Sequence, residues 1–91
     1  MGLTLDKKVM ERFEEKLREE EKSKATLEKY MRDARAFAAF LGDAPVTKEA
    51  AIRYKEHLSK RYAVSSANSM LAAVNGFLSF LGWRELAVKL L

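Results

Sequence analysis

Apolar residues recur at helical spacing in four stretches separated by short breaks, and no stretch alternates with the period of two that a half-buried strand requires. The chain is therefore predicted to be all-α. In the first stretch, over residues 5–22, Val9, Phe13 and Leu17 recur at i, i+4 and i+8 with Met10 beside them, and charged residues surround this narrow stripe. Such a helix packs by one edge. Thr4 is its expected N-cap, with Asp6 in the first turn, where a negative charge meets the positive end of the helix dipole. Ser23 then caps a second helix, residues 24–41, with Leu27, Tyr30, Met31, Ala34, Phe37, Ala38 and Leu41 on its buried face. Gly42 stops that helix, Pro45 bars its continuation, and Thr47 caps a third over residues 48–62, burying Ala51, Tyr54 and Leu58. The fourth, residues 66–81, buries Ala67, Met70, Leu71, Val74, Phe77, Leu78 and Leu81.

Two of these helices end alike. Phe37-Ala38-Ala39-Phe40-Leu41-Gly42 returns as Phe77-Leu78-Ser79-Phe80-Leu81-Gly82, with aromatics three apart on one face and a glycine at the C′ position, where a positive φ costs least. The pattern reads as two related helical pairs with differently dressed surfaces. On the second helix Lys29, Arg32 and Arg35 spread over about 120° of the circumference, a broad basic flank diluted by Glu28 and Asp33. The fourth helix instead carries a stripe of small neutral residues, Ser65, Asn68, Ser69, Ala72, Asn75, Gly76 and Ser79, where a solvated face ordinarily has Lys or Glu. Small side chains let a partner come close, whether another helix or a nucleic-acid strand. After Trp83, residues 84–91 read as a short further helical segment, and the uncapped Leu90-Leu91 suggests a chain cut from something longer.

Composition narrows the reading. Ninety-one residues, 48% hydrophobic and 33% charged, suit one ordered domain. No cysteine is present for a disulfide or thiolate site, and a lone His57 makes no metal cluster. The excess of 17 basic over 13 acidic residues is a mild bias toward polyanions. The charged N-terminal run has no apolar segment of a secretory signal, and Asp6 stands where a myristoylation pattern needs Ser or Thr. The uncharged run from Ala63 to Trp83 has Ser and Asn among its apolar residues, so it reads as a buried helix rather than a membrane span. No phosphate-cradling glycine loop, nucleophile elbow or carboxylate pair on an apolar background is present, so the chain is expected to be non-catalytic and to need no cofactor or metal.

Thr26-x-x-x-Tyr30 followed by Phe37 and Phe40-Leu41, then Ser66-Ala67-Asn68 with Leu71 through Leu81, resembles the N-terminal core-binding domain of tyrosine recombinases of the phage integrase type. The resemblance covers residues 5–91. It implies a compact four-helix SAM-like orthogonal bundle over residues 1–83, a short helical segment 84–91 starting a linker, and a separate C-terminal catalytic domain that cleaves DNA through a tyrosine. The implied partners are double-stranded DNA, that catalytic domain and other recombinase protomers in a synaptic complex, in a prokaryotic cytoplasm, with no membrane. The family presents its second and fourth helices to the DNA major groove, so the implied DNA-binding residues are Lys24, Thr26, Lys29, Arg32, Arg35, Ser65, Ser66, Asn68 and Ser69. Where many relatives have Thr and, three positions on, a basic residue, this chain has Ser66 and Ser69, which shifts phosphate contact toward Lys24, Lys29 and Arg32. Two other readings stay open from the residues alone: a protein-interaction domain docking through the neutral stripe, and a bundle that self-associates through Leu86, Leu90 and Leu91.

Overall fold

The computed structural model describes residues 7–91, so Thr4 and Asp6 lie outside the described residues. Four helices follow in order, α1 (Lys7–Glu19), α2 (Lys24–Leu41), α3 (Lys48–Arg61) and α4 (Val64–Phe80), and the chain then makes one 3-10 turn at Arg84–Leu86. No strand occurs among the described residues, and the all-α expectation holds. The caps explain the boundaries. Ser23 accepts from Thr26 N–H at the start of α2, and Thr47 accepts from Ala50 N–H at the start of α3. Gly42 (φ +58°) and Gly82 (φ +83°) turn the chain at the ends of α2 and α4 in backbone conformations that a side chain would strain. At Gly82 the closure is complete: Gly82 N–H bonds Ser79 O and Trp83 N–H reaches back to Leu78 O. α1 ends three residues before the expected Lys22, because Glu21 adopts φ +58° while Lys22 N–H bonds Leu17 O.

Two hydrophobic clusters share α2 and α4. Phe37, Tyr54, Leu58, Leu71, Val74 and Leu78 pack α2, α3 and α4 together, and Phe13, Leu17, Met31, Ala34 and Phe77 pack α1 against α2 and α4. The repeated phenylalanines thus serve opposite sides of the molecule. Both are fully buried, Phe77 lying 4.8 Å from the ring of Phe13 and Phe37 5.1 Å from that of Tyr54. Their partners three residues on are marginal: Phe80 is half-buried against Phe13, and Phe40 is exposed at the edge of Tyr54 and His57.

The C-terminal segment departs from expectation. After the 3-10 turn, residues 87–91 carry no regular secondary structure, and the main chain of Val88 and Leu91 is bonded by α4 rather than by a helix of its own. Asn75 donates to Val88 O (2.8 Å) and accepts from Val88 N–H (3.0 Å); Asn68 does the same for Leu91 (3.2 and 2.7 Å). The spacings match, since seven residues of helix rise about 10.5 Å and three extended residues span about 10 Å. This strap runs antiparallel to α4, with Val88 buried in the α3–α4 cluster and Lys48 Nζ donating to Ala87 O.

Two stability effects follow from this packing. Phe37→Ala and Phe77→Ala should each destabilise by about 3 to 5 kcal/mol in denaturant melts, and a loss below about 1 kcal/mol at either would contradict its burial. At Gly76 a methyl group would meet only Tyr30 Cε2, at 3.9 Å. Gly76→Ala should therefore raise stability by about 0.5 to 1 kcal/mol, whereas destabilisation would show a closer approach than the fold has.

Candidate nucleic-acid interface

α2 distributes its basic residues to two different grooves. Lys24 and Arg35 face α1, where with Arg18 and Lys22 they line an open groove of about 610 Å³ that also holds Glu14 and Glu28. Arg32 and then Lys29 lie about 60° to 140° further round the helix and face α4, where with Ser66, Ser69 and Tyr62 they line a second groove of about 480 Å³. The single basic flank expected from the sequence is thus split. Four of the expected residues, from segments about forty positions apart, do meet in one place.

The floor of the second groove is Asp33, whose side chain is 2% exposed. Its Oδ2 accepts from Lys29 Nζ at 2.6 Å and its Oδ1 from Arg32 Nε at 3.4 Å. Lys29 Nζ also donates to the backbone carbonyl of Ser69 (3.1 Å), tying α2 to α4, and lies 5.6 Å from the centre of the Tyr30 ring. The two cations differ sharply in access: the Lys29 side chain is 30% exposed and that of Arg32 is 72% exposed. The neighbourhood reaches Tyr54, whose phenol is pushed up to about 12, first by burial, then by the negative charge of Asp33 and by Tyr62.

The remaining expected residues are spent elsewhere or stand alone. Thr26 belongs to the α2 cap, its Oγ1 accepting from Ser23 Oγ at 2.9 Å. Asn68 faces the strap, and its amide is occupied at both ends by Leu91. Ser65 is exposed on the first turn of α4. That helix has Ala63 at its N-cap position and no side-chain cap, so its leading N–H groups are unserved by a hydroxyl or carboxylate there. The neutral stripe is divided as well: Asn68 and Asn75 hold the strap, Ser69 lines the α2 groove, and Gly76 and Ser79 border α1. Sequence reasoning missed Tyr62 and the burial of Asp33. The latter had a signal, since Asp33 falls three residues after Tyr30 and four before Phe37 on the buried side of α2.

Among the described residues no group of His, Cys, Asp or Glu could hold a metal ion, and no helix is long and apolar enough to cross a membrane. What the groove offers is an exposed guanidinium, two hydroxyls, a phenol and a helix start, all suited to phosphate and polar contacts. A family model for the N-terminal SAM-like domain of phage integrase matches residues 10–85. The chain belongs to that family. The matched span runs from within α1 to the 3-10 turn and takes in the whole of α2, α3 and α4, so this is an integrase-type, tyrosine recombinase-related domain. No curated protein and no solved structure gives a significant match to the chain. In this integrase domain the strap, residues 87–91, lies beyond the matched span.

Tyr54 supplies a pH signature. Folding holds its phenol neutral, so the stability it lends is complete below about pH 10, the ordinary tyrosine range, and is lost as pH rises through about 12. Unfolding free energy should therefore fall more steeply over that window in the parent than in Tyr54→Phe, in which lysine titration is unchanged. Parallel curves would show that the phenol is not held neutral by the fold.

Proposed function

We propose that this domain grips duplex DNA through the starts of α2 and α4, as the DNA-binding half of a recombinase whose strand cleavage is done by a C-terminal catalytic domain on the same parent chain. The observation that carries this reading is the convergence of Lys29, Arg32, Ser66 and Ser69 on one groove beside the uncapped start of α4, in a chain of the integrase family. Arginine is the natural phosphate ligand of the set, able to offer two parallel N–H donors. Ser65, Ser66 and Ser69 stand where hydroxyls and free N–H groups reach phosphates or base edges. Lys24 and Arg35 extend the positive surface along the α1 side, where a phosphate of the same duplex is within the reach of long side chains. Asn68 is the weakest of the expected contacts, because a base would have to displace Leu91 from it.

On this reading the domain works in the cytoplasm of a prokaryote, on the DNA of a phage or mobile element, with further recombinase protomers as partners. The competing reading, a protein-interaction domain that docks through the neutral stripe of α4, has less to stand on. Asn68 and Asn75 of that stripe already hold the chain's own strap.

The test is a salt titration of binding to duplex DNA. The domain should bind with a dissociation constant of about 1 to 100 μM and little sequence preference, and log K should fall against log[salt] with a slope of about −3. Arg32→Ala should lower the magnitude of that slope by about one unit on cognate and scrambled duplexes alike. Absence of any NMR shift with DNA at about 50 mM salt, where the counterion term is strong, would refute DNA binding and favour the interaction-domain reading.

A further inference from the structure

The two cations of the α2–α4 groove are three residues apart on one helix, yet they stand in different physical situations because of the carboxylate beneath them. Lys29 has its ammonium 2.6 Å from a buried carboxylate oxygen and 3.1 Å from the Ser69 carbonyl, so its charge is neutralised and two of its three donors are committed to the protein. Swinging it out to a phosphate would break the link between α2 and α4 and strip Asp33 of its closest counter-charge in a site almost without solvent, which is heavily penalised. Arg32 touches Asp33 only through Nε, the nitrogen nearest its stem, at the longer distance of 3.4 Å. Both terminal amino groups of its guanidinium remain for an anion, and its side chain is mostly in solvent.

We propose that Asp33 is a positioning residue that withdraws Lys29 from the interface, making it an interhelical tether, and orients Arg32 as the cation through which the groove holds a DNA phosphate. The inference rests on the DNA-binding reading and refines it. Two neighbouring cations that the sequence offers as equivalent phosphate ligands divide into one that holds the protein together and one that holds the ligand. A neutral tether releases no counterion when DNA arrives, whereas an exposed guanidinium does.

A double-mutant cycle read by salt dependence tests this. Removing the pair together, in Lys29→Met/Asp33→Asn, takes out one charge of each sign and should leave the salt slope of the parent unchanged, whereas Arg32→Gln should reduce its magnitude by about one. Asp33→Asn should do the opposite of a simple loss: with the carboxylate neutralised, the groove gains an uncompensated Lys29 charge, and the slope should steepen by about one unit. Adding Lys29→Met to Asp33→Asn should then remove that gain. A slope left unchanged by Asp33→Asn, or lowered as much by the paired removal as by Arg32→Gln, would overturn the proposal, and the second comparison stands even where Asp33→Asn alone fails to fold. A readout without DNA separates the two readings. In the parent, the Lys29 ammonium protons should exchange slowly enough to give a ¹H–¹⁵N cross-peak near neutral pH, and that peak should vanish in Asp33→Asn. If the cross-peak behaves so but no variant binds DNA, the DNA-binding reading fails while the tether stands; if the parent shows no such peak, the tether itself is refuted.

Discussion

The contact between α2 and α4 is the constraint on which the remaining packing depends. Neither α1 nor α3 has more than one apolar edge to offer, so each needs a surface already assembled before it can dock, and that surface is built jointly by the two central helices. Phe37 sends its ring to the α3 side and Phe77 sends its ring to the α1 side. A shift of α4 relative to α2 would therefore disturb both clusters together. The Lys29 bond to the Ser69 carbonyl crosses this same contact, and the carboxylate that holds Lys29 in place is buried within it. A polar bridge in an apolar contact adds direction to packing that is otherwise indifferent to small sliding movements, because a hydrogen bond weakens steeply with misalignment.

Placing the proposed interface on this contact has a mechanical meaning. The groove residues Arg32, Ser66 and Ser69 are carried by the two helices that share both hydrophobic clusters, and not by loops. A surface intended to match the spacing of phosphates along a duplex gains from such rigidity, since ordering mobile side chains on binding would subtract from affinity. Tyr62, at the junction of α3 and α4, is the exception. It sits on the connection rather than on a helix and is half exposed.

Much of the fold was legible because it rests on local rules. Helix spacing located the four elements, Ser23 and Thr47 capped where side-chain chemistry says they should, and the paired glycines marked two ends. The errors arose where long-range partners decide. Residues 84–91 have a helical composition, but Asn68 and Asn75 offer their backbone a better set of partners, and only contact with α4 could reveal this. Likewise Lys29, Arg32 and Arg35 look alike in sequence. Their division depends on which neighbour each faces: Arg35 turns to α1, Lys29 is captured by Asp33, and Arg32 remains in solvent. Charge counted along a chain says nothing about charge already cancelled in three dimensions.

The strap has a consequence for how this part of the chain can vary. Asn68 and Asn75 grasp main-chain groups, which every residue except proline presents in the same form. The grip is thus a count of residues and not a reading of them: it registers that Val88 and Leu91 are three apart and ignores what Lys89 and Leu90 carry outward. Substitutions at those two outward positions would pass unnoticed, whereas insertion or deletion of a single residue between Val88 and Leu91 would leave the two asparagines unable to hold the strap together. Evolution of this segment should therefore be tolerant in composition and strict in length.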